Sequence, residues 1–154
     1  MELSQILGID AVRAPVKATS KKRLLQDLAD MAEQVYRLPS DIVYRGLMDR
    51  ESLGPTGVGR GVAIPHARLP GVTRVIGLFV RLDKPVDFES IDRQPVDLVF
   101  ALFAPEAAGA EHLKALARVS RTLRSDAICA KLRSTFDPSA IYAILTDGKA
   151  EQAA

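Results

Sequence analysis

The chain has 154 residues, 47% hydrophobic and 26% charged, which is long enough to bury a core and close to the average for one folded domain. Its formal net charge of +2 is too small to point to nucleic acid, and 5% aromatic residues leave little to stack on bases. No apolar run approaches the roughly 20 residues of a membrane span, the opening MELSQILGID lacks a secretory layout, and the single Cys129 excludes an internal disulfide framework; a cytoplasmic protein is expected.

In chain order, Ser20 is a suitable N-cap for a helix running to about Tyr36. Leu24, Leu25, Leu28, Met31, Ala32 and Val35 recur on one face of it. Ser40 opens a second helix carrying Ile42, Val43 and Leu47, which ends near Leu53–Gly54. Pro55 and then Gly57, Gly59 and Gly61 read as a loop. Val62-Ala63-Ile64 is a short strand that Pro65 stops. Arg74–Leu82 and Pro95–Ala104 are strands; the second, with little alternation, suits a central position covered on both faces. The intervening PVDFESIDRQP predicts a short edge strand and turn. Helices follow at Glu111–Leu123, Asp126–Leu132 and Pro138–Leu145, the last two capped by Ser125 and Asp137. Helices, then strands, then helices predict an α/β sandwich, a sheet with helices on both faces, in a single domain over 1–147. The tail 148–154 is expected to be flexible, and strand directions stay open.

The densest chemical feature is Gly54-Pro-Thr-Gly-Val-Gly-Arg-Gly-Val-Ala-Ile-Pro-His66-Ala-Arg. Gly54 and Gly59 have P-loop spacing, but Arg60 and Gly61 stand where Lys and Ser/Thr are needed for phosphates and Mg²⁺. The dinucleotide fingerprint fails too, because Val62 replaces the third glycine and a helix precedes the loop. Gly57, Gly59 and Gly61 do allow successive N–H groups to converge on an anion. Thr56 would add a hydroxyl, and Arg50, Arg60 and Arg68 would add cations able to grip phosphoryl oxygens. A plain solvated turn accounts for the same glycines.

His66 follows a strand-ending proline, at an element terminus on a rigid peptide. Neutral imidazole is a competent nucleophile at phosphorus and a good leaving group afterwards, so a reversible phosphoryl carrier is one reading and a turn-stabilising histidine another. His112, the other histidine, is placed in the first turn of its helix, one position off a predicted buried face of Leu113, Leu116, Ala117 and Val119. There it can hydrogen-bond His66 or its phosphoryl group, or be a surface histidine. Metal-ligand spacing and a nucleophile elbow are lacking, so no metal and no cofactor are expected. Lys114, Arg118, Arg121, Arg124, Lys131 and Arg133 read as a docking face for an acidic partner or as a solvated helix surface.

In order and spacing, SKKRLLQDLA (20–29), MDRESLGPTGVGRGVAIPHARLPGV, PVDFESIDRQPVDLVFALFAPE (85–106) and EHLKALARVSRTLR (111–124) resemble the enzyme IIA components of the mannitol/fructose class in the bacterial phosphotransferase system. The resemblance is strongest to the nitrogen-regulatory IIA branch. It implies a mixed sheet between helices, His66 phosphorylated through Nε2, His112 as a second active-site histidine and Arg50 as the arginine beside the phosphoryl group. An HPr-like phosphocarrier is the implied donor, with Arg50, Thr56 and backbone N–H groups holding the oxygens. The sequence contains no fused IIB or membrane segment, which favours a regulatory output through a downstream transporter or sensor kinase. Leu69, Pro70 and Val72 would form the apolar part of the docking patch. A sugar-specific IIA passing its phosphoryl group to a IIB domain, and a non-enzymatic anion-binding module, are the alternatives. Ala67 departs from the glycine usual after the histidine, which makes a left-handed backbone there less favourable.

Overall fold

The computed structural model describes residues 1–147, and the tail at 148–154 lies outside them. Two short 3₁₀ turns (Leu3–Gln5 and Ile9–Ala11) lead into β1 (Val12–Val16), ahead of Ser20 where the sequence pattern yields no element. Helix α1 (Lys21–Tyr36) begins as expected, with the Ser20 hydroxyl accepting from the Arg23 N–H. Helix α2 (Ser40–Glu51) follows, and its last turn carries Arg50, a cation where the helix dipole favours one.

The expected glycine loop is instead a hairpin of β2 (Gly57–Gly59) and β3 (Val62–Ala63). Arg60 and Gly61 both have positive φ (57° and 80°), as a tight primed turn between twisted strands requires. Pro65 interrupts the strand, and β4 (His66–Leu69) resumes it. Strands β5 (Ile76–Val86) and β6 (Val96–Pro105) pair antiparallel. The segment expected to hold an edge strand splits: its first residues extend β5, and 87–95 is loop. Helices α3 (Ala110–Leu123), α4 (Asp126–Arg133) and α5 (Pro138–Thr146) complete the chain, with Ser125 and Asp137 capping α4 and α5.

The sheet is mixed, in the order β1-β5-β6-β3-β2, with β4 also on β6. Strands β3 and β4 run parallel to the same edge of β6, one after the other: Val62 opposite Leu98, His66 opposite Leu102. Residues Leu98–Ala104 of β6 are completely buried, which explains their unbroken apolar run. Phe79 and Phe100 meet edge to face, 6.1 Å apart, near the centre of this core. Helices cover both faces of the sheet.

Helix α2 approaches β4 closely because Gly46 lacks a side chain. A Cβ there would stand 2.7 Å from Leu69 Cδ2 and 3.3 Å from Ala67 Cβ. Ala67 lies in regular strand opposite Phe103, with its methyl turned toward Gly46. The close approach brings the start of β4 beside the end of α2, and hence His66 beside Arg50.

Candidate functional site

The break at Ile64-Pro65 shapes the site. Pro65 passes its carbonyl to the Leu102 N–H and keeps the chain on β6, whereas the Ile64 carbonyl accepts a hydrogen bond from His66 Nδ1 at 2.8 Å. A carbonyl can only accept, so the proton is on Nδ1 and Nε2 carries the lone pair. Arg50 Nε donates to that Nε2 at 3.2 Å, and Arg50 Nη1 is anchored on the Gly54 carbonyl at 2.9 Å. Both partners of the ring therefore specify the same tautomer.

His112, from the first turn of α3, meets His66 with ring centroids 5.5 Å apart and planes at 74°. Arg68 Nε donates to His112 Nδ1 at 3.4 Å. His112 is 5% exposed and its Nε2 is enclosed without a hydrogen-bond partner. Burial lowers the pKa of both rings below the ordinary imidazole value. For His66 the Arg50 charge adds to this, opposed by the Ile64 hydrogen bond and Glu51; for His112 the His66 ring and the Arg68 charge add to it. Both rings are thus held toward the neutral form near pH 7.

These groups border an open cavity of about 450 Å³ between α2, β4 and α3. Leu53 (83% exposed) and Leu113 (64% exposed) form its apolar rim. A larger recess of about 760 Å³, between Met1, Ile6, Arg74 and the start of α3, is lined by neither histidine.

The structure thus brings His66, His112, Arg50 and Arg68 together and takes the other expected phosphoryl ligands elsewhere. The Thr56 hydroxyl donates to the Glu51 carboxylate. Gly57 packs against Ser90 and Gly59 against Asp92, while a Cβ on Gly61 would stand 2.4 Å from Arg133 Nη2. These glycines serve the tight turn and close packing, and the hairpin is paired as sheet. The Arg60 guanidinium binds Asp126 at 3.2 Å and the Arg124 carbonyl at 2.6 Å, at the α3–α4 turn.

The expected docking residues need correction. Leu69 (2% exposed) and Val72 (8% exposed) belong to the core, and Pro70 alone of the three is at the surface. On α3 the buried face is His112, Ala115, Val119, Thr122 and Leu123, so Leu113 and Ala117 turn outward. Leu53 and Leu113 were the residues missed as rim. Their signal was an apolar side chain at the end of one helix and the start of another, flanking the site. Within the basic stretch, Arg133 is committed to Asp97 at 2.8 Å.

The chain, a mixed-sheet α/β domain with a histidine pair and an arginine at one sheet edge, belongs to the family described as "Phosphoenolpyruvate-dependent sugar phosphotransferase system, EIIA 2", matched over residues 5–148. Within it the chain is similar to the nitrogen regulatory protein of Bradyrhizobium diazoefficiens, 50% identical over 145 residues, covering 94% of this chain and 95% of that one. It is similar in structure to nitrogen regulatory protein IIA-Ntr of Neisseria meningitidis (TM-score 0.88, 36% identity, 94% of this chain and 99% of that one). The IIA mannitol protein of Escherichia coli shares the fold (TM-score 0.76, 19% identity, 90% of this chain and 97% of that one). No helix among the described residues is long and apolar enough to cross a membrane.

Proposed function

We propose that this chain is a cytoplasmic phosphohistidine carrier of the nitrogen-regulatory branch, which receives a phosphoryl group on His66 Nε2 from an HPr-like protein and signals by the resulting change in partner binding. The observation that carries this reading is the His66 tautomer: Ile64 holds the Nδ1 proton, and Nε2 offers its lone pair beside Arg50.

In the transfer, the Nε2 lone pair forms the new P–N bond while the P–N bond of the donor phosphohistidine breaks and its electrons return to the donor ring. The Nδ1 proton stays on His66, whose ring becomes cationic against the Ile64 carbonyl. Arg50 releases Nε2 and turns its N–H groups to the phosphoryl oxygens, still tethered through Gly54. One phosphohistidine replaces another, so the protein mainly supplies positioning. Leu53 and Leu113 supply the apolar part of the docking surface. Phosphorylation then adds nearly two negative charges in the middle of that surface, enough to change which partner binds. The identities to nitrogen regulatory proteins favour this branch over a sugar-specific IIA. Use of the glycine hairpin as sheet weakens the anion-module alternative.

Incubation with phosphoenolpyruvate, an enzyme I-like protein and an HPr-like protein, followed by intact mass, tests the reading. One acid-labile phosphoryl group is expected, absent in His66→Ala. An unchanged mass while the HPr-like protein becomes phosphorylated overturns it. Rapid transfer onward to a sugar-specific IIB domain would move the chain to the transport branch.

A further inference from the structure

The two histidines are protonated in opposite senses, and different kinds of group enforce this. At His66 a backbone carbonyl, 2.8 Å from Nδ1, fixes the proton on Nδ1. At His112 the partner of Nδ1 is the Arg68 guanidinium, 3.4 Å away, which can only donate. Nδ1 must therefore be the unprotonated nitrogen of His112, and its ring proton sits on Nε2. That Nε2 is enclosed and without a partner, in a residue 5% exposed whose ring lies 5.5 Å from His66. A buried N–H left unpaired is unfavourable and calls for an acceptor.

We propose that Arg68 is a positioning residue that locks His112 in the Nε2–H form, so that His112 can donate to a phosphoryl oxygen on His66 and has no Nε2 lone pair with which to compete as nucleophile. The donor role rests on the carrier reading above; the lock itself does not. Arg68 is exposed apart from this contact and lies two residues beyond the nucleophile on β4, so it points to the same side of the strand. The guanidinium and the histidine it orients thus approach the cavity together. Arg68 lines the same cavity as Arg50.

The test uses the full chain, ¹⁵N-labelled and unphosphorylated, at a pH about one unit above the ordinary imidazole pKa. Two-bond ¹H–¹⁵N correlations of the rings then report each tautomer. Wild type is expected to give His66 protonated on Nδ1 and His112 on Nε2. In Arg68→Met, His112 is expected to shift toward a mixture of tautomers while His66 is unchanged; Arg68→Lys, which keeps a donor, is expected to restore much of the wild-type pattern. A His112 that is Nδ1-protonated in wild type, or unmoved in Arg68→Met, overturns the lock. The second measurement is the rate of His66 phosphorylation by the HPr-like donor. It should fall by up to about tenfold in Arg68→Met, the scale on which outer partners of an active group act, and His112→Ala should cost less in Arg68→Met than it does in the wild-type chain. Additive losses overturn the coupling. Failure of wild type to be phosphorylated overturns the carrier reading and the donor role with it, while the spectra still decide the lock.

Discussion

Replacing Glu51 with alanine removes the anchor at the end of α2. The Glu51 side chain is 5% exposed; its carboxylate meets Lys21 Nζ at 2.7 Å and accepts from the Thr56 N–H at 3.2 Å and from the Thr56 hydroxyl. Breaking a buried ion pair by deleting one partner costs about 3–5 kcal/mol. The figure is lower here, because Lys21 is 16% exposed and retains Glu89 at 3.6 Å and the Phe88 ring at 4.8 Å. Losing two hydrogen bonds to the buried Thr56 adds about 1 kcal/mol each. We expect about 3 kcal/mol of destabilisation for Glu51→Ala and about 1–2 kcal/mol for Glu51→Gln, whose amide oxygen still accepts from Thr56. With urea m-values of about 1–3 kcal/mol/M, the alanine variant should unfold at least about 1 M earlier. A double-mutant cycle with Lys21→Ala should return a coupling above about 1 kcal/mol. An alanine variant within about 0.5 kcal/mol of wild type, or a cycle without coupling, refutes the anchoring argument.

Gly46→Ala gains about 1 kcal/mol of helix propensity yet should be net destabilising by about 1–2 kcal/mol, because the new methyl overpacks against Leu69 and Ala67; a higher urea midpoint would contradict this. Acid should weaken the fold through the histidines: the pKa values of His66 and His112 are lowered on folding, so the unfolded chain binds their protons first. Their contribution is level above the ordinary imidazole value of about 6.5 and declines as pH falls from there toward the folded values. Urea midpoints from pH about 8 to 5 should therefore fall less steeply in His66→Gln/His112→Gln than in wild type, and equal slopes would count against burial of neutral rings.

What could be read from the sequence was whatever depends on near neighbours in the chain. Ser20, Ser125 and Asp137 cap helices through their own hydroxyl or carboxylate, and the unbroken apolar run of β6 marks a strand covered on both faces. Strand β1 alternates Val12, Ala14 and Val16 with Arg13 and Pro15, but five residues that include a proline are too short a pattern to mark a strand, and it is held by its parallel pairing with β5, a contact distant in sequence. The buried face of α3 was misjudged because Leu113 is an apolar residue that this fold leaves outside, at the rim of the cavity. The glycine hairpin was misread for a related reason. Its glycines answer the close approach of Ser90 and Arg133, which only the folded chain brings near. At the site, His66 was legible from Ile-Pro-His, whereas the environment of Arg68 depended on α3 folding back onto β4.

The interrupted edge of β6 has a bearing on how such a site can change over time. The proton on His66 is held by the Ile64 carbonyl, a main-chain group that every amino acid at position 64 would supply. Single-residue change therefore cannot delete that acceptor; only a shift in the chain path at Pro65 could. The His112 proton depends on Arg68, a side chain that one codon can exchange. The tautomer of His66 is thus set by the backbone, while that of His112 can be retuned one residue at a time; for the carrier proposed above, this leaves the rate and lifetime of the phosphoryl group open to adjustment while its point of attachment on the ring stays the same.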